Sequence, residues 1–340
     1  MNIVLCESAG KREYTAGNKA RTDAVRILQD IGYTHIPLYV SKSNKILVFF
    51  QLIFNTLKAI CLANRDDTVF IQYPYRPKQV NKLLMNVLSL GRSVKKYRIV
   101  LLIHDSEGLR SYYDNPKVLK EEIVLFNKAD MVICHNEIMK QTFLDAGGRH
   151  NYTVLGPFDY LYDGQLAKTV YSQKPTIIVA GNLSSEKSGY VYKLQQLKNC
   201  SFNLYGINYS GETNDHVRYK GSFHPDELIE HLQGSFGLVW DGDSLETCDG
   251  STGNYLKFNN PHKFSLYIAA GIPLIVWRES AISSIVREYD LGICVENLQE
   301  IESLDISYNS YLRKKENVLN LRKNLVNGNN LKNAIKNINL

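Results

Sequence analysis

Short, uninterrupted apolar runs alternate with amphipathic segments along almost the whole chain, and this alternation leaves few folds open. Asn2–Cys6, Thr68–Gln72, Arg98–His104 and Met131–His135 lack the polar alternation of a half-exposed strand, so strands made of them need cover on both faces. Between them lie segments of helical period. Asn18–Asp30 places Ala20, Ala24, Ile27, Leu28 and Ile31 on one stripe, with Gly32 as its stop. Gln79–Leu90, Asn115-Pro116 to Lys128, and Glu137–Ala146 read the same way, and His35–Val40 and Tyr152–Leu155 supply further strands. Repeated β-α-β connections of this kind produce a parallel, doubly wound α/β sheet. Its loops of interest follow strand C-terminal ends: Glu7–Gly17, Tyr73–Lys78, His104–Tyr113 and His135–Glu137.

The pattern lapses at Gly156–Pro175, a Tyr-, Gly-, Asp- and Lys-rich stretch without period, and restarts at Thr176. Thr176–Ala180, Phe202–Tyr205, Val217–Tyr219, Phe236–Trp240, Leu274–Val276 and Gly292–Val295 are the expected strands of a second Rossmann-like unit. A length of 340 residues suits two domains. The expected division is residues 1–156, a linker over 157–175, a second domain over 176–310, and a helical tail over 311–340 packing back on the first domain. Two doubly wound domains facing a cleft suit a ligand that spans both.

Composition narrows the partners. The net charge of +6 favours an anionic ligand or an anionic membrane surface without demanding nucleic acid, and no zinc-finger spacing or RNA-binding signature is present. The six cysteines stand singly, mostly in apolar runs, and read as buried free thiols. The strand-like start and these thiols fit a reducing cytoplasm. Ile46–Ala63 is long and apolar, but Gln51, Asn55 and Lys58 interrupt it at helical spacing. It is expected to be a domain helix, with peripheral membrane contact as the second reading.

Five places carry chemistry. In Gly253–Trp277, Pro261 is expected at the first helical position, His262 and Lys263 in the first turn, and Gly271 and Pro273 at the stop. A first-turn lysine opposes the helix dipole unless the helix start holds an anion, such as a phosphate or diphosphate. The loop Ala180–Gly189 follows a strand, has glycines near both ends and offers Lys187 as a second countercharge. A solvated loop with an ordinary lysine is the alternative. Ala16-Gly17-Asn18 forms a pinched, capped helix start that lacks Walker spacing. Asp105 and Glu107, at the end of a buried strand, suit proton transfer, or else a cap or loop ion pair. Phe223 can stack on a base ring or fill the core. Asp241-Gly242-Asp243 is a weak divalent-metal signal, and the two lysines already offer phosphate contacts without metal.

Together these motifs resemble a known group. Asn259-x-Pro261-His262-Lys263-x-Ser265-x-Tyr267-x-Ala269-Ala270-Gly271-x-Pro273-x-Ile275-Val276 looks like the donor-binding segment of bacterial GT-B glycosyltransferases of the galactofuranosyltransferase-like group. That group includes the glucosyltransferases that extend O-linked GlcNAc on serine-rich adhesins. Gly17–Arg21, Ile103–Arg110, Asn127–Asp130, Ala180-Gly181-Asn182 and Phe236–Trp240 agree in order along the chain. The resemblance implies a two-domain GT-B fold, a UDP-sugar donor, and no cofactor or metal. It places Pro261, His262, Lys263, Phe264, Ser265 and Leu266 at the diphosphate and Lys187 beside it. Phe223 would lie near uracil, with Ala16, Gly17 and Asn18 closing from the first domain. The implied reaction moves a hexosyl group, glucose or galactofuranose, to a sugar hydroxyl of a glycoprotein or lipid-linked glycan, in a homo-oligomeric protein. A UDP-sugar epimerase of the same architecture and a non-catalytic UDP-sugar-binding scaffold subunit are the rival readings.

Overall fold

A computed structural model describes all residues except 9–15, 40–44, 76–78, 150 and 338–340, and no side chains at 7, 8, 16, 17, 39 and 45. The chain forms two compact units. The first holds most of residues 1–156 together with 330–340, and the second holds 157–329 together with the short stretch that ends at Lys19.

The first unit contains β1 (Ile3–Ser8), α1 (Ala16–Asp30), β2 (Thr34–Tyr39), α2 (Lys45–Leu62), β3 (Thr68–Tyr73), α3 (Gln79–Lys95) and β4 (Arg98–Ile103). It continues with α4 (Glu107–Arg110), α5 (Pro116–Phe126), β5 (Met131–Cys134), α6 (Glu137–Asp145) and β6 (Tyr152–Val154). The strands form one parallel sheet in the order β2-β1-β3-β4-β5-β6. β3 is buried along its whole length, as its unbroken apolar run requires.

The second unit begins with β7 (Lys168–Thr169), β8 (Thr176–Asn182), α7 (Ser185–Ser188), β9 (Ser201–Ile207), β10 (Val217–Gly221), α8 (Leu228–His231), β11 (Gln233–Gly234) and β12 (Phe236–Val239). It ends with α9 (Gly250–Tyr255), α10 (His262–Ala270), β13 (Leu274–Trp277), α11 (Ser283–Glu288), β14 (Gly292–Val295), α12 (Tyr308–Leu325) and α13 (Asn329–Lys336), the last crossing into the first unit's residues. Its parallel sheet runs β10-β9-β8-β12-β13-β14. The doubly wound architecture expected from the alternation is therefore present twice. Residues 157–175 are not a bare connector: β7 pairs in parallel with β11, and Ala167 N–H donates to Ala270 O at 3.2 Å. Residues 250–255 form α9, in which Gly253 N–H and Leu256 N–H close local turns on Asp249 O and Gly253 O.

In both sheets the strand order reverses between two neighbours, β1 and β3 in the first, β8 and β12 in the second. Open α/β sheets bind ligands outside the strand ends at such a reversal. β8 and β12 pair only through Ile177–Phe236 and Ile178–Gly237, whereas β8 and β9 stay paired to Asn182. The gap is closed by a side chain. Tyr267, buried on α10, accepts from Ala180 N–H at 3.0 Å and donates to Ile178 O at 3.1 Å. Only glycine fits opposite it, since a Cβ at Gly237 would overlap the Tyr267 ring.

Tyr267→Phe removes that hydroxyl and leaves a buried N–H and C=O without it, which costs about 1–3 kcal/mol. A lowered thermal midpoint with unchanged far-ultraviolet circular dichroism is expected. An unchanged midpoint would mean that the bridge does not hold α10.

Candidate functional site

α10 begins where Tyr267 places it, at the C-terminal end of β8. Pro261 is the N-cap, with φ −70° and ψ 145°, rather than the first helical residue expected from sequence. Its ring presets that φ while its carbonyl accepts from Phe264 N–H at 2.9 Å. The helix ends at Gly271 in the left-handed region, φ 72°, and Ile272 N–H reaches back to Tyr267 O at 2.9 Å.

Lys263 is largely buried. Its Nζ donates to Asp241 Oδ1 at 2.7 Å and to Trp240 O at 2.8 Å. Gly181, φ 137°, lies directly over it, and a Cβ there would stand 3.7 Å from Lys263 Cε. Gly206 is required beside it, because a Cβ would overlap the Gly181 carbonyl. Two backbone bonds join the neighbouring loops: Gly242 N–H to Lys187 O and Tyr190 N–H to Gly242 O, both 3.2 Å. Lys187, in the short α7 after β8, is thus fastened to the turn that follows Asp241. The weak Asp-x-Asp motif has structural duties: Asp241 pairs with Lys263, and Asp243 N–H donates to Asp249 Oδ1 at 2.6 Å.

The other expected donor-side residues fall in different surroundings. Phe264 and Leu266 are core side chains, so their contribution to any bound anion is backbone. Ser265 Oγ is buried without a hydrogen-bond partner. His262 packs between Tyr160 (5.3 Å between centroids) and Phe158 (6.2 Å). Among the described residues neither of its ring nitrogens has a hydrogen-bond partner. Burial, helped by the nearby Lys19 charge, pushes its pKa down to about 3. Phe223 is half-buried and stacked on His231 at 3.9 Å. The side chains of Ala16 and Gly17 lie outside the described residues; Asn18 is half-buried in the first turn of α1. Next to it Lys19 is buried, with Nζ 2.7 Å from Asp226 Oδ1 and 2.8 Å from Leu161 O.

In the first unit, β4 delivers His104-Asp105-Ser106-Glu107 to its C-terminal end. Asp105 forms a bidentate pair with Arg110, at 3.1–3.2 Å. Glu107 opens α4, and its N–H donates to Glu122 Oε1 at 3.1 Å. Glu122 was not legible as a site residue, yet it organises this loop. Its other donors are the Tyr73 hydroxyl (2.8 Å), the Ser106 hydroxyl (2.5 Å) and Gly108 N–H (2.9 Å). Burial raises its pKa, and the four donors oppose the shift. Gly108 is obligatory, since a Cβ would overlap Leu119 of α5. A sequence signal did exist: Glu122 interrupts the apolar stripe Leu119, Ile123, Phe126, and a carboxylate on a buried face needs donors. His104 Nε2 lies 2.7 Å from Gln72 Oε1. Arg21 fastens α1 to the end of β3 through Gln72 O (3.0 Å) and Pro74 O (2.6 Å). Further in, His135 donates from Nε2 to Ile103 O at 3.0 Å, and burial pulls its pKa to about 4.

Two doubly wound units, each a six-stranded parallel sheet with one reversal of strand order, are the architecture of a GT-B glycosyltransferase. Comparison with sucrose-phosphate synthase from Thermosynechococcus elongatus agrees on the fold, with TM-score 0.63 over 99% of both chains at 10% identity. The chain belongs to the glucosyltransferase 3-like family: residues 2–157 match its N-terminal domain and 177–338 its C-terminal domain. It is 33% identical to the beta-1,6-galactofuranosyltransferase WbbI of Escherichia coli (strain K12), covering 89% of this chain and 88% of that one. It is 28% identical to glucosyltransferase 3 of Streptococcus gordonii over 69% and 67% of the two chains. The resemblance read from the motifs is thereby borne out.

Glu122→Ala strands four donors and should lower stability by about 3 kcal/mol, visible as a reduced thermal midpoint. A second expectation concerns acid. An imidazole whose pKa falls on folding binds fewer protons folded than unfolded. Its stabilisation is complete above the ordinary value of 6.5 and is lost as pH falls toward about 4 for His135 and about 3 for His262. Each histidine should withdraw about 2 kcal/mol by about pH 5. Thermal midpoints measured from neutral pH downward would show it, and a flat profile would contradict it.

Proposed function

We propose that the protein transfers a hexosyl group, glucose or galactofuranose, from a UDP-sugar to a sugar hydroxyl of a glycoprotein or lipid-linked glycan. The observation that carries the donor assignment is Lys263, held in the first turn of α10 beside Gly181 at the strand reversal. A departing UDP carries a diphosphate whose negative charge grows as the glycosidic bond breaks. A fixed ammonium and a helix start meet that charge without reorganisation, and Lys187 adds a second cation on the adjoining loop. In this reading the charge is met without a divalent metal, because Asp241 is committed to Lys263 and the Asp249 carboxylate to Asp243 N–H.

The acceptor hydroxyl must lose a proton, and Asp105 and Glu107 are the bases proposed for that step. Asp105 would give up part of its Arg110 pair in taking a proton. The names of the two relatives, a galactofuranosyltransferase and a glucosyltransferase, support transfer over epimerisation.

Thermal-shift screening with UDP, UDP-glucose, UDP-galactofuranose and UDP-GlcNAc tests the donor site. At least one UDP compound should stabilise the wild type, and Lys263→Ala should abolish that shift. It should also cost about 1–3 kcal/mol of intrinsic stability by leaving Asp241 without its partner. A wild type that no UDP compound stabilises, or an undiminished shift in Lys263→Ala, would overturn the assignment. Conversion of a UDP-sugar to an isomer without acceptor would favour the epimerase. UDP binding without turnover on any glycan would favour the scaffold.

A further inference from the structure

α2 is mostly apolar, yet only one of its faces is covered. Val48, Leu52, Thr56, Ala59 and Ala63 are buried against the first unit. On the opposite face Leu47, Phe50, Phe54 and Leu57 recur at spacings of three and four and are 48–67% exposed. α3 extends the patch. A Cβ at its Gly91 would meet Ile60 of α2 at 2.9 Å, so its last turns lie beside the end of α2. There Leu90 and Val94 are 72% and 77% exposed. Isolated exposed leucines are ordinary, but two exposed phenylalanines within a continuous apolar stripe mark an interaction surface.

The charged residues within the two helices are of one sign, while Asp66 lies just beyond α3, its N–H donating to Lys96 O at 3.2 Å. The ionisable residues of α2 and α3 with fixed charge are Lys45, Lys58, Lys82, Arg92 and Lys95, Lys96 follows, and neither helix contains an acid. The acids nearest in sequence are Asp66 and Asp67, between α2 and β3; Asp130, after α5, pairs with Arg92. An exposed apolar face on two helices whose charged residues are all basic fits the boundary between acyl chains and acidic headgroups. The same charges disfavour a second copy, which would bring basic helices together. No helix among the described residues is long and apolar enough to cross a bilayer, so the contact is with the surface.

We propose that this face of α2, with Leu90 and Val94 of α3, docks the protein on an anionic lipid surface. The docking is independent of the donor assignment, since it involves none of the donor-side residues. The test is co-sedimentation of the full chain with phosphatidylcholine vesicles, with and without roughly one third phosphatidylglycerol. The wild type should pellet with the anionic vesicles and be released by high salt. Phe50→Ser with Phe54→Ser should weaken binding by about tenfold or more. Lys95→Glu with Lys96→Glu, at exposed or half-exposed positions, should weaken it comparably and keeps the test open if the first variant folds poorly. Wild type that stays in solution with anionic vesicles would overturn the proposal, as would full binding by both variants. So would a concentration-dependent dimer in sedimentation equilibrium that the phenylalanine variant dissociates, because the face would then belong to a second copy.

Discussion

The bridge made by the Tyr267 hydroxyl is the contact on which the donor-side geometry depends. A doubly wound sheet must open where its strand order reverses, and opening exposes backbone groups that a continued ladder would have paired. At β8 and β12 the exposed groups are Ile178 O and Ala180 N–H, and one phenol satisfies both. Because that phenol sits on α10, satisfying the strand also fixes the helix start four residues earlier, and Lys263 comes to rest beneath Gly181. The first sheet solves the same problem similarly. β1 and β3 pair as far as Leu5 and Ile71, and the Tyr75 hydroxyl donates to Leu5 O at 2.7 Å.

Around each opening, charge is held in place before any ligand arrives. Lys263 would be costly to bury alone, so Asp241 and the Trp240 carbonyl neutralise and orient it. In the proposed reading an incoming diphosphate would meet a lysine whose conformation is already chosen, and would take the place of one carboxylate. Glu122 plays the complementary part in the first unit. Its four donors come from the end of β3 and from the Ser106–Gly108 turn. The direction in which Asp105 and Glu107 leave β4 is therefore decided by a carboxylate in the middle of α5. This is preorganisation by polar groups, and close packing beside them leaves room only for glycine at Gly108, Gly206 and Gly237.

These dependencies also show what the sequence can and cannot convey. The strands were legible because burial on both faces imposes unbroken apolar runs, and α10 was legible because Gly271 and Pro273 punctuate it. The awkward first-turn lysine suggests a ligand anion from sequence; in the fold Lys263 is paired with Asp241. That pairing spans twenty-two residues, and nothing local announces it. Pro261 was placed one position too far into the helix because proline satisfies both the N-cap and the first helical φ, and only ψ tells them apart. α2 is the instructive case. Its long apolar run marks a domain helix, and Gln51, Asn55 and Lys58 argue for one polar side. In the fold those three residues share their side of the helix with Phe50, Phe54 and Leu57, which the first unit leaves uncovered. Apolar residues in excess of what a domain can bury are information about a partner, and they become readable as such only once the domain's own core has been counted out.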